Sequence, residues 1–218
     1  MGSGELTVVI EAAGLSDLKR FYDLAPKAAT ESARIAINQS AERVGLKLAQ
    51  RAMVAQVNFP KGYFGEVGRG GKPNFGMAYR ATNADLAAGI AGRQEPTSLA
   101  RFATERRSFV RGRHQRGTPV TVNVHPGRVR EFKRNAFFLR LRNNNIGLGI
   151  RLKDGESLTN TRGAKLITSG PLKGVALLYG PSVDQIFRTV AVDISPEVLD
   201  ALTVEFLRQF ELRTRAKL

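Results

Sequence analysis

The stretch NAFFLRLRNNNIGLGIRL, residues 135–152, decides how the rest of the chain is interpreted. On both sides of its three asparagines, large apolar residues alternate with arginine or glycine. Because successive side chains of a strand point to opposite faces of a sheet, this period of two predicts a β-hairpin. One face of the hairpin should be apolar and the other rich in arginine, so the question is whether that second face binds nucleic acid, a membrane or another protein subunit.

The chain carries a large excess of basic residues. Its 218 residues include 34 lysines and arginines against 19 aspartates and glutamates, a formal net charge of +15. Such a charge attracts polyanions over the screening length of the solution. Composition leaves two alternatives open: a dedicated nucleic-acid-binding site, or a structural protein that is basic because it assembles around nucleic acid.

The residue types needed for catalysis or metal binding are scarce. Cysteine is absent, which excludes disulfides and thiolate metal sites. The two histidines, His114 and His125, stand among arginines whose charge opposes cation binding. The stretch GEVGRGGKP, residues 65–73, lacks the Ser or Thr that follows lysine in a phosphate-binding loop. We therefore expect no enzyme, no cofactor and no metal site.

Two sequence features argue against a membrane role. No apolar run approaches the length of about 18 residues that spans a bilayer. The first residues, MGSGELTVVIEAAG, lack the basic start and apolar core of a signal peptide. We expect no membrane partner.

A long helix is predicted over residues 26–57, a segment rich in strong helix formers. Its alanines and larger apolar residues recur at steps of three and four, which predicts one narrow buried stripe. The stripe consists of Ala33, Ile37, Ala41, Val44, Leu48, Ala52 and Ala55. Pro60 ends the helix because its ring disfavours the helical conformation at Phe59.

Two further helices are predicted near the C-terminus. The first begins after Ser182, a suitable N-cap, with Asp184 near the positive helix end. The second begins at Ser195, with Pro196 in the first helical position. Its buried side should carry Leu199, Leu202, Phe206 and Phe210.

Short strands are predicted over residues 6–11, 79–91, 120–124 and 175–179, in addition to the hairpin. With the helices, they indicate a single α+β domain over residues 1–218. We expect a mostly antiparallel sheet flanked by a long N-terminal helix and a C-terminal helix, with long extended loops.

Three segments are expected to leave this body: protruding arms at 58–75 and 101–117, and a loop insertion at 154–174. The first arm is rich in glycine and carries aromatic rings that we interpret as anchors for a neighbouring subunit. The second opens a region, residues 101–134, with ten lysines and arginines against two glutamates.

Four blocks of sequence, in this order, carry a resemblance to a known family. They are ARIAINQSAERVGLKLAQRAM (33–53), TPVTVNVHPGRV (118–129), the hairpin NAFFLRLRNNNIGLGIRL (135–152), and the closing block from LLYGPSVDQIF to VEFLRQFELR (177–213). Together they resemble the minor tail protein Z family of long-tailed bacteriophages. The resemblance rests on the succession of the blocks, none of which is a catalytic motif.

The resemblance implies a structural virion protein that completes the phage tail at its head-proximal end and takes part in head-tail joining at the neck. It further implies a homo-oligomeric ring, for which sixfold symmetry is our first expectation, lining or surrounding the DNA path. The partners would be the tail tube, the tail terminator or neck proteins, and packaged DNA through non-specific contacts. The protein would be located in the virion, and in the host cytoplasm during assembly.

Two sets of candidate residues follow. We expect the flexible basic loop to face DNA through Arg106, Arg107, Arg111, Arg113 and Arg116. We expect subunit contacts at Phe59, Tyr63, Phe64, Phe75, Arg140 and Arg142. The main alternative is a free basic nucleic-acid-binding protein, although Phe109 is the only aromatic residue within the most basic loop, and single-strand binders need several for stacking. A nuclease or wall-degrading enzyme is the third alternative, and it lacks the acid, histidine and cysteine clusters.

Overall fold

A computed structural model describes residues 8–11, 21, 23–68, 71–104, 120–132, 136–141, 145–153 and 163–215. It confirms the predicted α+β class, with an N-terminal helix, a C-terminal helix and antiparallel sheets. The chain forms two compact units. Unit 1 comprises Met1–Met53, Phe64–Gln94 and Asp184–Leu218, and unit 2 comprises Val54–Tyr63 and Glu95–Val183. Because the chain passes between the units four times, they are not successive domains, and the single-domain organisation stays a prediction.

The predicted long helix is present but contains a wider turn. Helix α1 (Pro26–Gln39) leads into a π-helical segment (Ser40–Gly45) and then into α2 (Leu46–Gln56). The backbone N–H of Leu46 donates to the carbonyl of Ala41, five residues back instead of four. A π-segment therefore adds one residue to the turn.

This extra residue changes which side chains are buried. The predicted stripe is confirmed as far as Ala41, since Ala33, Ile37 and Ala41 are all fully buried. From Val44 onward the stripe is wrong by one position, and by two at its end: the buried residues are Gly45, Ala49, Met53 and Val57. The positions expected there, Val44, Leu48, Ala52 and Ala55, are half-buried or exposed.

The three-stranded antiparallel sheet of unit 1 has the order β1-β3-β2. Its strands are β1 (Val8–Glu11), β2 (Phe75–Tyr79) and β3 (Ala87–Gly92). The single strand predicted over 79–91 is wrong because the chain turns within it. The N–H of Thr82 donates to the carbonyl of Asp85, and the N–H of Asp85 donates to the Thr82 hydroxyl, which closes the turn.

The C-terminal region is one helix, α3 (Val183–Arg215), so the prediction of two helices is wrong. Ser195 does not cap a new helix, because its hydroxyl donates to the carbonyl of Ala191 inside the existing one. Pro196 removes the hydrogen bond to Val192, but both residues are exposed, where water can replace a lost donor. Of the predicted buried residues, Leu202, Phe206 and Phe210 are confirmed, whereas Leu199 is exposed and Val198 is buried instead.

Unit 2 contains a two-stranded ribbon and a four-stranded sheet, both antiparallel. The ribbon pairs β4 (Val120–His125), which was predicted, with β5 (Arg128–Phe132), which was not. Pro126 and Gly127 connect the two strands, and Gly127 takes the positive φ of +73° that the turn requires. The ring of Pro126 restricts its own backbone angle φ, so the local sequence favours the turn.

The four-stranded sheet has the order β6-β7-β9-β8. Its strands are β6 (Ala136–Arg140), β7 (Ile146–Arg151), β8 (Ala164–Leu166) and β9 (Val175–Leu178). The predicted hairpin and the predicted strand near 175–179 are confirmed as β6, β7 and β9. The loop insertion expected at 154–174 is wrong at Ala164–Leu166, because these residues form β8 and pair with β9.

The register of β6 and β7 overturns the prediction of one apolar and one cationic face. Leu139 lies opposite Gly147, and Arg140 lies opposite Ile146. Opposed residues share a face, so each face of the hairpin carries apolar side chains. Arg140 and Arg151 are both exposed, at the ends of their strands and on opposite faces.

Two glycines of β7 allow neighbouring leucine and valine side chains to close over this strand. A Cβ at Gly149 would lie 2.8 Å from Val175 Cγ1 and 2.9 Å from Leu139 Cδ2. A Cβ at Gly147 would lie 3.4 Å from its nearest neighbours on Leu141 and Leu177, which is ordinary contact distance or nearly so. The backbone at Gly149 is therefore approached more closely than any other residue type allows.

We expect Gly149→Ala to lower the free energy of unfolding by about 1–3 kcal/mol, because the methyl group overpacks the sheet. Gly147→Ala serves as the control and should be neutral or stabilising by about 0.4–1 kcal/mol, because alanine restricts the unfolded chain. Urea denaturation of the two variants measures both values. Equal effects at the two positions would contradict the close approach at Gly149.

Candidate assembly and nucleic-acid surfaces

Two of the aromatic residues expected at a subunit interface belong to the core of unit 2. Phe59 and Tyr63 are stacked, with ring centroids 5.6 Å apart, and Phe59 also contacts Phe102 at 5.9 Å. Tyr63 is only 2% exposed, and its hydroxyl lies 3.1 Å from that of Thr97. Neither ring is available to a neighbouring subunit.

The other two aromatic candidates pack in unit 1. The rings of Phe64 and Phe75 are 5.8 Å apart, and Phe75 meets Phe187 edge to face at 5.0 Å. Phe75 is 4% exposed and Phe64 is half-buried. The protruding arm predicted at 58–75 is therefore wrong for the residues that the structure describes, since their rings stabilise the chain's own fold.

Phe75→Ala should lower the free energy of unfolding by about 3–5 kcal/mol, the usual cost of removing a buried phenylalanine. Phe64→Ala should cost clearly less, because part of that ring already contacts water. Thermal or urea unfolding of each variant gives the comparison. A Phe75→Ala protein of unchanged stability would return this ring to the interface candidates.

The arginine candidates are placed only in part. Arg140 is exposed at the end of β6. Arg142 and the five DNA-facing candidates, Arg106, Arg107, Arg111, Arg113 and Arg116, lie outside the described residues. Within the predicted arm at 101–117, the described start is packed: Phe102 is buried, Ala103 pairs with Val122, and Thr104 donates to the carbonyl of Thr121.

The basic residues are distributed unequally between the two units. Unit 2 has 18 lysines and arginines against 5 aspartates and glutamates, a net charge of +13, whereas unit 1 has 16 against 14, a net charge of +2. The described part of unit 2 contains nine basic residues, all exposed, against Glu95 and Glu131. They are Lys61, Arg101, Arg128, Arg130, Arg140, Arg151, Lys153, Lys165 and Lys173.

Several charges in unit 1 are paired within the unit. Arg80 bonds Glu42 at 2.7 Å, Arg213 approaches Glu31 at 3.4 Å, and Arg188 bonds Asp184 at 2.9 Å. The hydrogen bond from Arg80 lowers the pKa of Glu42 below its ordinary value. A bond from Arg208 does the same for the pKa of Glu205, with help from Gln209. Unit 1 thus presents a balanced charge.

Helix α3 carries an exposed apolar stripe on unit 1. Val192 is 78% exposed, and Leu199 and Leu207 are each 42% exposed. With the exposed residues Pro196 and Thr203 they follow steps of three and four, so they lie along one side of the helix. The stripe is about 22 Å long at a rise of 1.5 Å per residue. An aligned set of exposed apolar residues favours an interaction site more than scattered single ones do.

Three exposed acidic residues flank the stripe: Asp193, Glu197 and Asp200. They lie on the same half of α3, which has no basic residue between Arg188 and Arg208. The stripe and these acids are hereafter the acid-flanked stripe. On a strongly basic chain, it is a surface that attracts a positively charged partner.

The ribbon of unit 2 presents a second surface. Arg128 and Arg130 of β5 are exposed, and the guanidinium of Arg130 lies 4.7 Å from the centroid of the Phe132 ring. Neither arginine forms an ion pair within the part of the chain that the structure describes. The ribbon carrying Arg128 and Arg130 is hereafter the basic ribbon. In the sequence these arginines stand out only as part of a basic run, because β5 lacks the apolar alternation that predicts a strand.

The described residues contain no cluster of three His, Asp or Glu that could hold a metal ion. Among the same residues, no helix is both long and apolar enough to cross a bilayer.

Comparison of the chain with protein-family models, with curated proteins and with solved structures finds no match.

Proposed function

We propose that the protein is a structural subunit of a bacteriophage tail, which completes the tail at its head-proximal end and joins it to the neck. Copies form a homo-oligomeric ring around the path of the DNA, in contact with the tail tube, the tail terminator or neck proteins. The observation that carries the proposal is the acid-flanked stripe of α3 on a chain whose other unit is strongly basic. The proposal assigns no catalytic step to the protein.

Charge determines which surfaces of two copies can meet. Two copies that face each other through unit 2 repel, because each unit 2 has a net charge of +13. Contact between the acid-flanked stripe of one copy and the basic surface of the next is attractive. In such a contact Asp193, Glu197 and Asp200 approach basic residues of unit 2, for which exposed Arg140 is a candidate.

A contact of this kind uses different patches on the two copies. Such head-to-tail interfaces produce a closed ring when the rotation between copies completes a circle. A ring also gathers the excess positive charge of every copy, so a polyanion in its centre favours assembly. Packaged DNA supplies that polyanion in a phage particle, where the protein would be part of the virion.

The four sequence blocks support the same proposal, since their succession resembles the minor tail protein Z family. In this chain those blocks correspond to α1 to α2, to β4 with its turn, to the hairpin of β6 and β7, and to β9 followed by α3. The resemblance concerns elements that build the body of both units.

The alternative is a free basic nucleic-acid-binding protein, which the charge of unit 2 favours. Particle size separates the two: a tail protein forms rings of defined mass or binds tail tubes, whereas the alternative stays monomeric while it shifts DNA. The decisive experiment is electron microscopy of phage particles made without the protein. Heads and tails that fail to join, or that join without delivering DNA, are the expected result, and normal infectious particles would overturn the proposal.

Leu199→Gln should weaken ring formation about tenfold or more, because it removes the centre of the apolar stripe. Leu212→Gln is the matched control, since Leu212 is exposed on the same helix but off the stripe, and it should assemble normally. Native mass spectrometry or light scattering gives the mass and the number of copies. Equal behaviour of the two variants would exclude the stripe as the contact.

Glu197→Lys should also weaken the ring, because it replaces attraction with repulsion. The loss should be largest at low ionic strength and should shrink as salt screens the charges. The same mass measurement at several salt concentrations tests this. A loss that does not depend on salt would show that Glu197 acts through its shape and not through its charge.

A further inference from the structure

We propose that the basic ribbon binds the phosphodiester backbone of double-stranded nucleic acid without regard to sequence, through Arg128 and Arg130. This inference deepens the proposed function and rests on it for the setting in which DNA is met. It assigns the contact to a described element of unit 2, separate from the acid-flanked stripe of unit 1.

The ribbon fixes the backbone that carries the two arginines. Strand β4 forms antiparallel backbone hydrogen bonds with β5 on one side. Further bonds hold β4 from other segments of unit 2: the N–H of Asn58 donates to the carbonyl of Val124 at 2.8 Å, its amide Nδ2 lies 2.8 Å from Asn123 Oδ1, and Ala103 pairs with Val122. His125 Nδ1 lies 3.0 Å from the carbonyl of Gln56. Strand β5, which carries the arginines, pairs with this anchored strand, so its backbone loses little freedom when the arginines bind a ligand.

The side-chain geometry suits phosphate. Arg128 and Arg130 are two residues apart on one strand, so they extend to the same side at a spacing of about 6.6 Å along the ribbon. The guanidinium group presents several N–H donors in a plane and pairs with phosphate through two of them. The ring of Phe132 beside Arg130 restricts the orientation of that guanidinium.

The surroundings favour nucleic acid over an acidic protein. Protein interfaces have an apolar centre, but the side of the ribbon that carries the two arginines has no exposed large apolar residue among those described, since Val129 points to the opposite side. Interfaces with DNA are more polar and much more positive. The remaining exposed basic residues of unit 2 supply that positive field, and a two-stranded ribbon is narrow enough to lie in the major groove.

Arginines on an edge strand also discourage the addition of further strands, and this purely protective role is the competing explanation. It predicts that replacing the arginines causes aggregation but leaves DNA binding by the remaining soluble protein unchanged.

The test compares two double variants of the full chain that lose the same charge. One is Arg128→Gln with Arg130→Gln. The matched control is Lys47→Gln with Arg51→Gln, two exposed basic residues of unit 1. Fluorescence anisotropy with a labelled DNA duplex of random sequence gives the dissociation constant at several salt concentrations.

For the ribbon variant we expect weaker binding and a slope of log K against log salt that is smaller by about 1.8, since each lost phosphate contact removes about 0.9. The control should keep the slope of the unmodified protein. Arg128→Lys with Arg130→Lys should keep most of the slope, because the two charges remain. Circular dichroism confirms that each variant is folded.

Equal slopes for the ribbon variant and the control would overturn the inference. A ribbon variant that no longer binds poly-glutamate but still binds the duplex would also overturn it. The mass of each sample is measured in parallel. Rings that form while the slope is unchanged would overturn the inference and leave the proposed function standing. A smaller slope in a protein that never forms rings and never enters the particle would overturn the proposed function and leave the inference standing.

Discussion

Repulsion between like charges is the constraint on which the rest of this structure depends. Nearly all of the net charge of +15 belongs to unit 2, while unit 1 has nearly equal numbers of basic and acidic residues and a net charge of +2. A chain with its basic residues spread evenly would oppose association through any surface. Segregation leaves one unit on which an apolar contact can form at little electrostatic cost and one unit that attracts polyanions. The two proposed surfaces, the acid-flanked stripe and the basic ribbon, follow from this division.

The fold class and most elements could be predicted because each depends on a local pattern. Alternation in residues 135–152 indicates the hairpin, Pro126 and Gly127 indicate the turn after β4, and helix formers indicate α1 and α2. What could not be predicted depends on contacts between distant segments. The faces of β6 and β7 follow from a register that places glycines opposite Phe137 and Leu139, and no local pattern specifies that register.

The helices show two other limits of local reasoning. A π-turn has no distinct sequence pattern, so the shift from Leu48 to Ala49 as the buried position appears only when the packing is known. A proline such as Pro196 is usually found in the first turn of a helix. Here the helix continues past it, because Val190, Ile194 and Val198 are buried on both sides of this position along the chain. The excess of basic residues could be seen in the sequence. That most of these residues belong to one unit could not, because the two units interleave along the chain. The exposed stripe was also hidden, since Leu199 has the spacing of a buried residue.

The interleaving of the two units has a consequence for the order of events during synthesis. All residues of unit 2 have been made once the ribosome reaches Val183, whereas unit 1 still lacks nearly all of α3 at that point. Segments generally fold as they emerge, so the charged half of the molecule can mature on the ribosome before its counterpart. Helix α3, which carries the acid-flanked stripe, is made after unit 2, so a nascent polypeptide cannot use this stripe in the proposed contact until α3 has been made.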